Sequence, residues 1–148
     1  MSSTFFTEKE QLQIVETIKA AELNTSGEIR LHIEPYCKDD VYDRATEVFE
    51  KLGMHVTKLK NGVLFYLAYE DKKFAVLGDQ GIHEKVSQQF WDEEKAMMTE
   101  YFKTGKFCEG LSLAIQKAGE KLKAHFPYQD DDTDELTNDI SFGGGEDA

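Results

Sequence analysis

The 148 residues are 40% hydrophobic and 11% aromatic and carry a formal charge of −12, enough for one domain to bury a core without disulfides or a structural metal. That charge repels phosphate backbones and anionic lipid head groups, so nucleic acid and membrane surfaces are not expected partners. Residues 129–148 hold eight acids and no Lys or Arg; they carry −8 of the −12 and leave −4 on residues 1–128. This divides the chain into an α/β domain over 1–128 and a flexible acidic tail over 129–148, in which Leu136, Ile140 and Phe142 are the candidates to dock on the body. Cys37 and Cys108 form no CxxC or zinc pattern and read as free thiols. Residues 1–10 lack the basic and apolar regions of a signal peptide, and no apolar run is long enough to span a bilayer, so a cytoplasmic address is expected.

Thr7 followed by Glu10 has the spacing of a capping box, and Ile14, Val15, Ile18 and Ala21 continue it as an amphipathic helix to about Leu23. Ile29, Leu31 and Ile33 alternate with Glu28, Arg30, His32 and Glu34, the period of a strand with one face buried, and Pro35 stops it. Asp39 and Asp40 are candidate caps for a second helix, whose stripe is Val41, Ala45, Val48, Phe49 and Leu52 and whose end is Gly53. The apolar runs 63–68 and 74–77, joined by a turn at 69–72, predict a hairpin covered on both faces. A short helix is expected from Ile82 and Val86 to Phe90 and Trp91. A further helical face follows at Met98, Tyr101 and Phe102, and a last helix runs from Cys108 to His125. Helices flanking a small mixed sheet, a three-layer α/β/α sandwich, is the consistent architecture.

Several catalytic motifs fail on spacing. Cys37 and Arg44 are separated by six residues where a tyrosine-phosphatase loop needs five. Asp130, Asp132 and Asp134 begin like an EF-hand, but Glu135 occupies the position of its turn glycine. Ser112 imitates a nucleophile elbow inside a predicted helix, and His83-Glu84 lacks the second His of a zincin.

What survives is a set of oxygens in loops. In a hairpin, Asn61 and Asp79 arrive at the same end. If residues 29–33 run parallel to 74–77, the exit loop with Asp39, Asp40 and Asp43 opens on that edge too, and Glu84 could add a carboxylate. Hard oxygen donors of this kind suit calcium or magnesium. Each residue also has a structural reading: Asp79 and Asn61 as turn formers, Asp39 or Asp40 as a helix cap, Asp43 and Glu84 as first-turn acids.

The series Thr25-Ser26-Gly27-Glu28-Ile29, Asp43-Arg44-Ala45, Asn61-Gly62-Val63-Leu64, Gly78-Asp79-Gln80-Gly81-Ile82-His83-Glu84, Phe90-Trp91-Asp92 and His125-Phe126-Pro127 resembles the TPM domain. That family is named for thylakoid-lumen, photosystem-repair and acetylcholine-receptor-modulating members. The resemblance implies an α/β/α sandwich, binding of calcium or another divalent cation in loops at one sheet edge, and, for a plant lumenal member, acid phosphatase activity. It carries site positions over to Asn61 and Asp79 first, then to Asp43 and Glu84. Three functions follow as expectations: a divalent-cation-binding interaction module, a metal-assisted phosphatase in which Arg44 steadies developing charge, and an adaptor whose acidic tail contacts a protein partner.

Overall fold

In a computed structural model that describes residues 5–128 and 140–143, the first helix, α1 (Glu8–Glu22), starts at the expected capping box: Thr7 accepts from the Glu10 amide, and the Glu10 carboxylate accepts from the Thr7 amide. After β1 (Glu28–Glu34), α2 (Val41–Lys51) is capped by Asp40, which accepts from the amides of Tyr42 and Asp43. Gly53, at φ +72°, takes the left-handed position that ends the helix, a conformation open to a residue without Cβ. The crossover through α2 returns the chain to β2 (Gly62–Ala68), which pairs parallel to β1 with Ile29 opposite Val63 and Ile33 opposite Leu67. The hairpin turn then sends β3 (Lys73–Gly78) back antiparallel to β2.

Three helices follow: α3 (Gln80–His83), α4 (Gln88–Lys103) and α5 (Phe107–His125). The sequence pattern joined Ile82 to Trp91 in one helix. Ser87, whose hydroxyl accepts from the Phe90 amide, instead starts a new one, so Phe90, Trp91 and Met98 share α4. Within the acidic segment, Ser141–Phe142 forms β4, parallel to β1, and completes a mixed sheet in the order β3-β2-β1-β4. Ile140 is buried and Phe142 packs on the core, as expected for docking residues.

The sheet has helices on both sides. Ile29, Leu31, Ile33, Val63, Phe65, Leu67 and Val76 face a layer made by α1, α4 and α5, with Ile14, Ile18, Met98, Leu111 and Ile115 as its centre. On the reverse face, Leu64, Tyr66, Ala68 and Ala75 meet Ala45, Val48 and Phe49 of α2. Burying one such aliphatic side chain stabilises the fold by about 1.5–3 kcal/mol.

β1 departs from its pattern. Its polar alternates are buried as well: Glu28 is 2% exposed, Glu34 4%, His32 6% and Arg30 9%. The reason lies next door, since the same face of β2 carries Leu64, Tyr66 and Ala68 and is covered. Glu34 is accommodated there by Arg44 of α2, whose Nε and Nη2 donate to its two oxygens at 2.7 and 2.8 Å. Arg44→Ala leaves that carboxylate buried without its bidentate partner, and urea unfolding is expected to show a loss of about 3 kcal/mol.

Glu94, on the face of α4 turned toward α5, is 1% exposed, and neither carboxylate oxygen has a hydrogen-bond partner among the described residues. Burial pushes its pKa up to about 8; Lys117 of α5 opposes the rise and Glu120 adds to it. The folded group is therefore neutral at pH 7 while the unfolded one is ionised, and its stabilising contribution, complete below the ordinary carboxylate value of 4.5, drains away as pH climbs to about 8. Denaturation across that window should show stability falling by up to about 1.4 kcal/mol per pH unit, and Glu94→Gln should flatten the slope.

Candidate functional site

The expected oxygen cluster divides between the two ends of the sheet. At one end, where β1 and β2 begin and β3 finishes, Asn61 and Asp79 come together: Val63 pairs with Gly78, and the Asp79 amide donates to the Gly62 carbonyl at 2.8 Å. Asn61 is 1% exposed, its side-chain amide donates to the Ser26 hydroxyl at 3.3 Å, and its carbonyl receives the Glu28 amide at 3.4 Å. One carboxylate oxygen of Asp79 caps α3 by accepting the Gln80 amide at 2.8 Å; the other is buried without a partner among the described residues. In the connection leading to Asn61, Thr57 is 2% exposed and its hydroxyl too has no partner among them. Glu84, just past α3, is exposed and accepts from the Gln80 side chain at 3.2 Å.

Gly81 holds this rim shut. A Cβ there would lie 2.2 Å from the Leu59 carbonyl oxygen and 2.5 Å from that of Lys60, so the 57–61 connection can approach α3 only because residue 81 has no side chain. The Ile82 amide donates to the Lys60 carbonyl at 3.3 Å across the same contact.

Asp39, Asp40 and Asp43 are at the opposite end, which corrects the expectation of a common edge. The α2 crossover makes β1 parallel to β2, and the hairpin therefore makes it antiparallel, not parallel, to β3. The exit of β1 lies beside the 69–72 turn, where the Tyr69 amide donates to Glu34, the Cys37 amide to Asp71 at 2.7 Å and Lys73 to the Cys37 carbonyl. The six residues of β3 separate the two ends, roughly 17 Å at strand rise. No ion can be shared across that distance. Asp40 is engaged as the α2 cap, while Asp39 and Asp43 point no carboxylate at a described partner and are exposed. Among the described residues, no three His, Cys, Asp or Glu side chains gather where they could hold a metal ion.

The sequence reading missed the network around Glu34. Besides Arg44, this carboxylate accepts from the Tyr66 hydroxyl and lies 3.3 Å from His32 Nε2, whose Nδ1 is 2.9 Å from the Ser141 hydroxyl on β4. Burial alone would raise the Glu34 pKa, but the bonds from Arg44, His32 and Tyr66 outweigh it and hold the group far below the usual carboxylate range. Its hydrogen bond, ahead of the opposing burial, lifts Arg44 further above its ordinary value; burial first, then Glu34, lifts Tyr66. Arg44 also pairs with Glu47 at 2.7 Å, which leaves its guanidinium committed to carboxylates. The available signal was the unbroken apolar run of β2: a strand beside a two-sided apolar strand shares its cover.

The profile of the TPM domain family matches residues 2–121. The comparison with curated proteins found no match. Among solved structures, the BA42 protein from the psychrophilic bacterium Bizionia argentinensis is similar at 50% identity and a TM-score of 0.87, covering 97% of this chain and 100% of that one. The N-terminal domain of a P. gingivalis protein shares the fold at 14% identity and a TM-score of 0.68, over 85% of this chain and 83% of that one. The N-terminal domain of the cg2496 protein from Corynebacterium glutamicum does so at 10% and 0.64, over 84% and 78%. With its three-layer sandwich, its Asn61 and Asp79 rim and a family match over most of its length, the chain belongs to the TPM domain family.

Proposed function

We propose that this TPM domain is a divalent-cation-binding accessory module, taking calcium or magnesium at the rim formed by Asn61 and Asp79. The observation that carries the reading is the second Asp79 oxygen, buried beside the β2 entrance with no hydrogen-bond donor among the described residues. A buried polar oxygen is costly unless a donor or a cation meets it. The connection that leads to this rim carries neutral oxygens in the Thr57 hydroxyl and the Asn61 side chain, and Glu84 ends the short helix that Asp79 caps. Oxygen-only donors with few formal charges match a hard cation that keeps part of its water shell. Asp39, Asp40 and Asp43 have no part in this site.

The phosphatase alternative has less support, because the arginine it needs for developing phosphoryl charge is held by Glu34 and Glu47. The adaptor reading rests on the tail over 129–148, of which 129–139 and 144–148 lie outside the described residues. Among those that are described, no helix is long and apolar enough to cross a membrane.

Calorimetry with calcium and with magnesium tests the assignment. Asp79→Asn keeps a capping oxygen for α3 but removes the charge, and it should weaken binding at least tenfold with the melting temperature of the ion-free protein little changed. Asp43→Asn, at the other end of the sheet, should bind like the parent. Bound ion should stabilise the parent by about 2.7 kcal/mol at a hundredfold excess over its dissociation constant. Equal affinity in the parent and in Asp79→Asn would remove the site.

A further inference from the structure

The seam between α4 and α5 closes over an acid without a hydrogen bond. Glu94 is 1% exposed, and among the described residues neither of its oxygens has a partner. Phe90 and Met97, one turn to either side of it on α4, share with it the lining of a groove of about 410 Å³, with Lys117, Glu120 and Lys121 of α5 opposite. Those three are the charged groups that face it across the seam. Lys117 favours the ionised form and Glu120 opposes it, while the Lys121 ammonium lies 5.5 Å from the centre of the Phe90 ring. On α4 itself, Glu93 accepts from the Gln89 side chain at 3.0 Å.

A carboxyl in this setting is held in its neutral form, because a buried charge without a donor is costly; its pKa is pushed up to about 8. Once the proton leaves, the carboxylate needs water or the exposed Lys117, and α4 has to part from α5 before either can reach it. The other side of α4 gives that movement a consequence. Three residues before Glu94, Trp91 packs against the end of β3: a Cβ on Gly78 would lie 2.6 Å from its ring and 3.0 Å from Ile82. Gly78 precedes Asp79, which caps α3. Trp91 therefore supports the segment that holds Asp79 in place.

We propose that Glu94 is a proton-operated latch on the cation rim: protonated, it keeps α4 closed on α5 with Trp91 against Gly78, and ionised, it parts the two helices, draws Trp91 back and weakens the hold of Asp79 on the ion. The effect on the ion rests on the cation reading above; the parting of the helices does not.

Trp91 is the sole tryptophan of the chain, so its emission follows this helix. In the ion-free full chain that emission should shift to the red as pH rises, with a midpoint at or below about 8, since parting can only make the proton easier to lose. Glu94→Gln and Glu94→Leu, which stay neutral, should show no such step; His83, whose ring centroid is 6.5 Å from that of Trp91, is present in all three proteins, so its part in the emission cancels. At about pH 8 the parent's amides over 90–97 should exchange with deuterium roughly tenfold faster than those of β2, the mark of a local opening. Over the same rise in pH, calcium affinity should fall about fivefold in the parent relative to Glu94→Gln. An emission curve shared by the parent and both variants, or amides over 90–97 exchanging no faster than those of β2, overturns the latch. Calcium affinity with one pH profile in parent and variant overturns its coupling to the rim and leaves the cation site standing. Calcium binding to neither protein removes that site and the coupling with it, and emission and exchange then decide the latch.

Discussion

Burying Glu34 at the end of β1 commits three neighbours to it at once. Arg44 must come from α2 at the height that lets two guanidinium nitrogens reach two oxygens, which fixes where that helix sits on the sheet. Tyr66, otherwise one more apolar position in β2, must turn its hydroxyl toward β1, and His32 must bridge the carboxylate to Ser141. A charge pair removed from water contributes little net energy compared with an apolar pair of equal volume, but it is strict about geometry. The placement of α2, and with it the side of the sheet on which the chain returns to β2, is tied to this one carboxylate.

That same crossover sorts the chemistry of the molecule. Because β1 and β2 are parallel and β3 runs back, the aspartates before α2 and the Asn61 and Asp79 rim face opposite ways along the sheet. One end is a tight, hydrogen-bonded corner in which acids serve as caps and turn anchors. The other contains an Asp79 oxygen that has no partner among the described residues. Partnering, more than the number of acids, separates the two.

Much of the architecture was legible in the residues. The capping box of α1, the stripe of α2 with its glycine stop, the two apolar runs and the long stripe of α5 each state their own conformation through local spacing. The meeting of Asn61 with Asp79 was legible for the same reason, since a hairpin is a local event. Two things were not. The direction of β1 relative to β3 depends on which strand receives the crossover, a pairing between segments some thirty residues apart that no local period encodes. The burial of Glu28, Arg30, His32 and Glu34 was hidden because an alternating strand looks alike whether its polar face meets water or a guanidinium. Trp91 read as the end of a short helix, and the lack of an acceptor for its indole N–H among the described residues is visible only in three dimensions.

The short strand β4 has a consequence for how the chain comes to be folded. His32 and Ser141 are 109 positions apart, yet Ser141 pairs with the strand that is second among the elements to be synthesised. Until residues 141–142 have cleared the ribosome, His32 and Ile33 of β1 lack their outer strand partner, and their free edge is able to recruit a strand from a neighbouring nascent chain. The polar row along β1 then acts as a safeguard, because a strand bearing Glu28, Arg30, His32 and Glu34 on one face is a poor template for apolar addition.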